Sequence, residues 1–177
     1  MSTSYSKTAR RLHWIIAVLV ILQFIFIFTA EGLPREHELR GLFFQLHFST
    51  GFTVLLLAVW RVINRFTNPP PMPEQGMSRA VQLAAATAHW AMYAAIFILP
   101  VTGLMLVNTR GSAVGYFWLF DLPMIVGESD DLHELVEAIH VPVGIGLLAL
   151  ASLHALAALW HHFIRKDDTL RRMLGRG

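Results

Sequence analysis

The sequence predicts an all-α integral membrane protein, a four-helix bundle with both termini in the cytoplasm. Of its 177 residues, 55% are hydrophobic and only 15% are charged, whereas about 25% are charged in soluble domains. The excess is concentrated in four apolar runs, each near or above the roughly 20 residues that a helix needs to cross a hydrocarbon core. Because little sequence is left over, we predict one domain over residues 1–177. The runs are Leu12–Ala30, Gly41–Trp60, Leu83–Val107 and Val136–Phe163.

The distribution of basic residues predicts the orientation of the bundle. Eleven of the 14 Lys and Arg residues lie before the first run, between the second and third, or after the fourth. The positive-inside rule therefore places these segments in the cytoplasm. Because the charges flank membrane spans and form no single basic face, the sequence argues against a nucleic-acid partner. The inner set is Lys7, Arg10, Arg11, Arg61, Arg65, Arg79, Arg165, Lys166, Arg171, Arg172 and Arg176, and the outer set is Arg35, Arg40 and Arg110.

Cysteine is absent from the chain. Its absence excludes disulfides, iron–sulfur clusters, thiolate-ligated haem and covalent c-type haem attachment. The first apolar run is longer than the core of a signal peptide, and no small-residue cleavage site follows it. We therefore expect that run to remain as the first transmembrane helix.

The first half of the chain predicts two helices and a linker. Ser6 is the expected N-cap of the first helix, and the short outer loop Glu31–Arg40 leads to the second helix, which we expect to end near Arg61. The segment Asn68–Gly76 is rich in proline. Proline has no N–H to donate inside a helix, so this segment is predicted to be an extended cytoplasmic linker.

The second half predicts two further helices joined by the longest outer loop. Pro100 and Pro142 are expected to bend the third and fourth helices, and the fourth helix is expected to start near Asp131. The loop Asn108–Asp131 contains a cluster of aromatic residues that suits a short amphipathic segment in the membrane interface. These aromatics are Tyr116, Phe117, Trp118 and Phe120.

Five histidines lie inside the apolar helices, where an ionisable side chain is costly and marks a functional site by default. His140 and His154 are 14 residues apart, close to a whole number of turns, so both point to nearly the same side, about 21 Å apart along the axis. His47 shares the outer depth of His140, and His13 the inner depth of His154. Two layers of paired imidazoles predict axial ligands for two haems and an electron path across the bilayer.

His89 also lies at the inner depth and competes with His13. A porphyrin against a helix needs a small residue about one turn from its ligand, because residues i and i+4 share a face. His89 has Tyr93 at i+4, so we predict pairing of His13 with His154 and leave His89 beside the haem or in a quinone site. The four predicted ligands have Gly or Ala there: Ala17, Gly51, Gly144 and Ala158.

Other interpretations of these residues are weaker. A single membrane histidine often serves only to hydrogen-bond a neighbouring helix. Zinc and proton-relay sites call for carboxylates, which are missing at these depths. His161 suits either an interfacial polar residue or a proton donor.

Four arginines are placed to pair with anionic haem propionates, since a guanidinium offers a fork of donors. Arg40 and Arg110 are placed for an outer haem, and Arg11 and Arg61 for an inner one. The topology signal explains the inner pair equally well. The topology signal does not explain Arg110, because this arginine lies on the outer side, which is otherwise acidic.

A series of short motifs runs along essentially the whole chain. They are Tyr5-Ser6, His13-Trp14, His47 with Gly51, His89, Pro100 with Gly103, Asn108-Thr109-Arg110-Gly111, His133-Glu134 before His140, Leu153-His154-Ala155, His161-His162, Lys166-Asp167 and Thr169-Leu170. In their order and spacing these motifs resemble the bacterial cytochrome b561 family. They are also similar to the cytochrome b subunits of membrane hydrogenases and formate dehydrogenases.

The resemblance implies a multi-pass protein of the bacterial inner membrane that binds two haem b groups and passes electrons between superoxide and ubiquinone. By position, it implies that the ligands are His13, His47, His140 and His154. It also implies that His89 and His161 belong to the quinone pocket.

Two electron-transfer functions remain open from the sequence. One is an enzyme that oxidises superoxide, a one-electron donor, and so reduces two haems. The two haems then supply the two electrons that a quinone takes up. The rival is a non-catalytic subunit that carries electrons between quinone and a dehydrogenase or soluble cytochrome, with the outer aromatics as its docking surface. A structural membrane protein without a cofactor is the third possibility.

Overall fold

In a computed structural model that describes residues 4–72 and 76–175, four long helices dominate the fold. All four are long and apolar enough to cross a membrane, so the predicted four-helix membrane bundle is confirmed. Residues 73–75 of the predicted linker and Arg176 near the end lie outside the described residues. The helices are α1 (Lys7–Gly32), α2 (Glu38–Thr67), α3 (Arg79–Asn108) and α4 (Asp130–Trp160).

Serine side chains cap three of these helices. Ser6 accepts a hydrogen bond of 3.1 Å from the amide of Ala9, which confirms the predicted start of α1. Ser78 and Ser129 accept equivalent bonds of 3.3 Å at the starts of α3 and α4. Each cap satisfies one of the N–H groups that lack an intrahelical partner at a helix start. The fourth helix begins one residue before its predicted start.

The end of α2 was predicted wrongly. The helix continues to Thr67, six residues beyond the predicted end near Arg61, because a helix can continue past the end of its membrane-spanning run. Arg65, in this extension, lies over the ring of Trp90 on α3 at 5.5 Å. The helix stops at Asn68, since Pro69 disfavours helical dihedrals in the residue before it.

The helices pack as two antiparallel pairs. Helix α1 lies mainly against α2, and α3 lies mainly against α4, while α2 and α3 join the pairs. Large apolar side chains remain on the outer surface of the bundle, including Ile21, Ile145 and Leu153 at 60%, 63% and 63% exposure. Such a surface suits lipid as its solvent.

A β-hairpin interrupts the outer loop, where only an amphipathic segment was expected. Strand β1 (Val114–Tyr116) pairs antiparallel with β2 (Phe120–Leu122). The amide of Leu119 donates to the carbonyl of Tyr116 at 2.9 Å, and Phe117 and Trp118 between them have φ values of 45° and 60°. Positive φ at both central residues is typical of a type I′ turn, which usually contains Asn or Gly. Phe117 and Trp118 stand at these positions instead, so the residues of this turn did not predict a hairpin.

The cytoplasmic end is closed by a segment that the sequence analysis did not predict. After α4 the chain makes a π-helical turn, His161–Arg165, and then forms the short helix α5 (Thr169–Leu174). The indole N–H of Trp14 on α1 donates to the carbonyl of Met173 at 3.2 Å. Helix α5 therefore lies beside the cytoplasmic start of α1.

Candidate functional site

Two histidines face each other between α2 and α4 in the outer half of the bundle. The ring centroids of His47 and His140 are 6.5 Å apart, and the ring planes are inclined by 71°. A metal–imidazole bond is about 2.0–2.1 Å long, and the ring centre lies about 1.1 Å behind the bonding nitrogen. Two imidazoles that share one metal therefore have centroids about 6.2–6.4 Å apart, which is close to the observed separation.

The hydrogen bonds of this pair leave the Nε2 atoms available. His47 Nδ1 lies 3.1 Å from the backbone carbonyl of Gln23, and a carbonyl only accepts, so His47 Nδ1 carries the proton. His140 Nδ1 lies 2.9 Å from the hydroxyl of Thr102. That hydroxyl also lies 2.8 Å from the carbonyl of Ile98 and has one proton to donate there, so it accepts from His140. Metal-binding histidines commonly have this arrangement, with Nδ1–H held and Nε2 free.

An apolar cavity of about 210 Å³ opens beside these two rings. It exceeds by more than tenfold the roughly 10–15 Å³ that one water needs, and its walls are almost entirely apolar. Glycines keep it open: a Cβ on Gly103 would lie 3.2 Å from Cε1 of His140. The donor set and the apolar walls fit a flat macrocycle with a central metal. The cavity is lined by residues that include Gly51, Phe52, Leu99, Gly103, Gly144 and Leu148.

The inner layer contains three histidines instead of two. His154 on α4 has its ring centroid 6.1 Å from that of His13 and 5.2 Å from that of His89. The first distance matches two imidazoles on one metal, and the second is about 1 Å too short. The geometry therefore favours His13 as the partner of His154, in agreement with the predicted pairing. The ligand assignment itself remains a prediction.

Arg61 lies directly against the inner pair. Its guanidinium donates to the carbonyl of Ala9 at 2.7 Å and lies 3.4 Å from His13 Nδ1. Because arginine has only donors, His13 accepts at Nδ1 in this contact, and its proton is on Nε2. The protonation is thus opposite to that of the outer pair, and His13 can bind a metal through Nε2 only if Arg61 gives up this contact.

The other three predicted arginines have different surroundings. Arg110 forms an exposed ion pair of 3.1 Å with Asp130. Arg40 lies 3.5 Å from Glu31 and donates to the carbonyl of Leu33 at 3.0 Å. Arg11 is exposed on α1. Both outer arginines are thus engaged by neighbouring groups, and their roles toward an outer haem remain predictions.

His161 is buried at the cytoplasmic end and is held by an acid. Its Nδ1 lies 2.5 Å from the Asp167 carboxylate, and the amide of Thr169 donates to the same carboxylate at 3.0 Å. Desolvation raises the pKa of Asp167, but the hydrogen bonds from His161 and Thr169 outweigh it, so the pKa lies below its usual value of 3.8. The left-handed conformation of Lys166 turns the chain back to make this contact.

Sequence reasoning missed three residues that hold these histidines: Gln23, Thr102 and Asp167. Gln23 and Thr102 are polar residues inside apolar runs, and that signal was available. Gln23 joins α1 to α2, since its side-chain amide donates to the carbonyl of His47 at 2.9 Å. Asp167 carried no comparable signal, because it reaches His161 only through the π-helical turn.

Comparison with known proteins finds one matching family and several relatives. The family described as prokaryotic cytochrome b561 matches residues 4–176. The chain is 30% identical to cytochrome b561 homolog 2 of Escherichia coli (strain K12), over 97% of this chain and 92% of that protein. It is 31% identical to a probable superoxide oxidase, CybB, of Yersinia pestis, over 98% and 97%. It is 28% identical to cytochrome b562 of Cereibacter sphaeroides, over 96% and 94%.

Family membership accounts for the four spans. Members are membrane electron-transfer proteins that bind haem b. The four helices that can span a membrane agree with a multi-pass location in the bacterial inner membrane. The chain belongs to the prokaryotic cytochrome b561 family.

Proposed function

We propose that this chain is a di-haem b oxidoreductase that takes electrons from superoxide at the periplasmic face and passes them to ubiquinone in the membrane. The observation that carries the proposal is the presence of two imidazole pairs with centroid separations of 6.5 and 6.1 Å. Each separation suits one shared metal. Because His140 and His154 lie about 21 Å apart along α4, the two sites would cover much of the roughly 30 Å hydrocarbon core.

Four histidines would hold the two haems: His47 and His140 the outer one, His13 and His154 the inner one. Haem b supplies one-electron redox chemistry when bound, and two histidine ligands leave no open position on the iron. Superoxide is therefore not expected to bind iron. Two superoxide anions give up two electrons and leave as two oxygen molecules, and one quinone takes up those electrons with two protons to become quinol.

At the outer face, the proposed role of Arg40 and Arg110 is to attract the superoxide anion. The outer loop is otherwise acidic, and both arginines have an acidic neighbour, Glu31 and Asp130 respectively. Arg110 is the more accessible, with 59% of its side chain exposed. An exposed ion pair is worth about 0–1 kcal/mol, so its pairing with Asp130 weakens the attraction without abolishing it.

At the inner end, the proposed quinone-site residues are His89 and His161. The carboxylate of Asp167 holds a proton on His161 Nδ1. Nε2 is then the atom that can exchange a proton with a quinone oxygen. The superoxide donor is supported by the name of the Yersinia pestis relative, a probable superoxide oxidase.

The second candidate is a non-catalytic cytochrome b subunit that carries electrons between quinone and a dehydrogenase or soluble cytochrome. This function needs a docking surface on the outer side. The exposed Trp118, Leu119 and Phe120 are the candidates for it.

Reconstitution of the purified protein with ubiquinone in lipid vesicles distinguishes the two functions. Superoxide generated outside the vesicles is expected to reduce the haems and to form ubiquinol, and superoxide dismutase is expected to stop both. A pyridine haemochrome assay on the same sample should give two haems per chain. If superoxide does not reduce the haems, while chemically reduced protein still passes electrons to quinone, the carrier function replaces the enzyme.

A further inference from the structure

The tip of the β-hairpin is one of the most apolar exposed parts of the outer loop. We define the hairpin tip as Trp118, Leu119 and Phe120, whose exposed fractions are 65%, 76% and 55%. Phe117 and Trp118 adopt left-handed φ values that side chains other than glycine rarely adopt. Such strain persists only where the surrounding structure imposes it. The contacts that hold this turn therefore show how deep in the bundle it lies.

The hairpin is bound to one stripe of α2. Gln45, Ser49 and Thr53 follow one another at intervals of four residues and therefore share a helix face. The side-chain amide of Gln45 donates to the carbonyl of Gly115, the amide of Phe117 donates to the hydroxyl of Ser49 at 2.9 Å, and the hydroxyls of Thr53 and Tyr116 lie 3.1 Å apart. The hairpin thus descends along α2.

This stripe lies inside the membrane-spanning part of the bundle. Ser49 comes two residues after His47, about 3 Å farther along the axis toward the cytoplasm. His47 faces His140 across the bundle, and the last exposed acid on α4, Glu137, lies only about 4–5 Å outside His140 along the axis. The hairpin turn is therefore held below the outermost charged residues of α4, at or below the depth of the outer histidines.

The inward face of the hairpin satisfies the conditions for irregular backbone at that depth. Such backbone is tolerated where its polar groups are paired and where it is buried in protein or lines a cavity. The two strands pair with each other, and Gly115 and Phe117 are paired with α2 side chains. Val114 and Leu122 are 4% and 7% exposed, and both line the cavity beside His47 and His140.

The distribution of tryptophan points to the same location. Four of the five tryptophans lie toward the cytoplasmic ends of the four helices: Trp14, Trp60, Trp90 and Trp160. Trp118 is the fifth and lies on the outer side. Tryptophan is enriched at both membrane interfaces, where its ring is apolar and its N–H meets polar headgroups. Trp118 is thus the one tryptophan available for the outer interface.

We propose that the hairpin is a re-entrant element of the outer leaflet, with its tip against phospholipid and its opposite face against the outer cavity. Lipid is the occupant that fits, because the three tip side chains are apolar and held at membrane depth, like the exposed apolar side chains of the helices. The exposed acid next to the tip, Asp121, pairs with Gly115 and so lies on the outer side of the turn. The hairpin then completes part of the wall of the outer cavity, through Val114 and Leu122.

Because the chain contains no cysteine, a single introduced cysteine reports on one position alone. Leu119→Cys would carry a nitroxide label in haem-loaded protein reconstituted into vesicles of phosphatidylethanolamine and phosphatidylglycerol. Power saturation then compares collisions with oxygen, which concentrates in lipid, and with a nickel chelate, which stays in water. We expect the ratio of oxygen to nickel accessibility to be several-fold higher than for a label at Ser112, an exposed loop residue just before β1.

Two further positions make the result decisive. Ile21→Cys on the exposed face of α1 is the lipid control, and the label at Leu119 should give a similar ratio. Trp118→Cys repeats the measurement in case Leu119→Cys fails to fold, which the haem spectrum would reveal. A ratio at both tip positions equal to that at Ser112 would place the tip in water and overturn the proposal in favour of a face that docks a soluble protein.

Discussion

Thr102 on α3 and His140 on α4 are joined by a hydrogen bond of 2.9 Å between the hydroxyl and Nδ1. The next residue of α3, Gly103, leaves room for the same imidazole, since a Cβ there would lie 3.2 Å from His140 Cε1. One residue therefore sets the protonation of the ring, and its neighbour sets the space for it. Because Thr102 and Gly103 are adjacent, one turn of α3 sets both the protonation and the position of His140 at the proposed outer haem site.

Replacement of Thr102 by Val should weaken haem binding at the outer site. The change removes the acceptor of the His140 Nδ1 proton, and loss of such a partner typically costs about 10–100-fold in metal affinity or activity. Redox titration and haem retention on purification measure the effect. Thr29→Val is the control, because the Thr29 hydroxyl bonds only within its own helix, to Ile25. Equal behaviour of the two variants would contradict the role of Thr102.

Replacement of Gly103 by Val should displace His140 and lower the occupancy of the outer haem. The new Cβ is too close to Cε1, and the two Cγ atoms intrude further on the ring and cavity. Gly146→Val on α4 is the matched control, because a Cβ at Gly146 meets nothing within 4 Å. Both changes place a β-branched residue in a helix, so the difference in haem content isolates the steric effect. Unchanged haem content in Gly103→Val would show that the ring does not need this space.

His89→Ala should keep both haems and slow quinone reduction, whereas His13→Ala should lose the inner haem. The reason is geometric: the His89 and His154 centroids are 5.2 Å apart, too close for one shared metal, while those of His13 and His154 are 6.1 Å apart. Haem content and the reduced-minus-oxidised spectrum test both variants. Loss of a haem from His89→Ala, with retention in His13→Ala, would exchange the roles of the two residues.

The rate of superoxide oxidation should respond to the ion pair between Arg110 and Asp130. Arg110→Gln should lower the second-order rate and flatten its dependence on salt, because charge steering is screened over about 8–10 Å at physiological ionic strength. Asp130→Asn should raise the rate, because it frees Arg110. Asp131→Asn removes the same charge one residue away and should raise it less. A rate indifferent to salt and to all three changes would exclude steering by Arg110.

Asp167→Asn should destabilise the cytoplasmic end at neutral pH by about 1.5–3 kcal/mol, the usual contribution of a hydrogen bond to a charged group. The pKa of Asp167 is lowered from 3.8 by its hydrogen bonds. The stabilisation is therefore complete above pH 3.8 and is lost as pH falls through the lower folded-state pKa.

Thermal unfolding in detergent at neutral and acid pH tests this dependence. The difference between wild type and Asp167→Asn should disappear in acid. Asp168→Asn should have little effect at either pH, since Asp168 makes only an exposed contact of 3.5 Å with Arg171. A difference between wild type and Asp167→Asn that persists in acid would exclude ionisation of Asp167 as its cause.

The number and orientation of the helices followed from local sequence properties. An apolar run of about 20 residues is by itself long enough to cross the bilayer, and the basic residues at its ends determine its orientation. Neither the number of spans nor their orientation therefore depends on distant contacts. The depth of His140 and His154 followed from helix periodicity alone, and the Ser6 cap from its own side chain. These features involve residues that are close in the chain.

Tertiary structure decided what depends on residues far apart in the chain. The aromatic hairpin lacks a turn signal and is held by Gln45, Ser49 and Thr53, more than sixty residues earlier. The spacing of Ala17 and Tyr93 already favoured His13 over His89, and the ring separations of 6.1 and 5.2 Å from His154 add a reason that only the packing of three helices supplies. The hydrogen-bond partners of His47 and His140 lie on neighbouring helices, because a side chain buried in an apolar bundle must find its acceptor across a helix–helix contact.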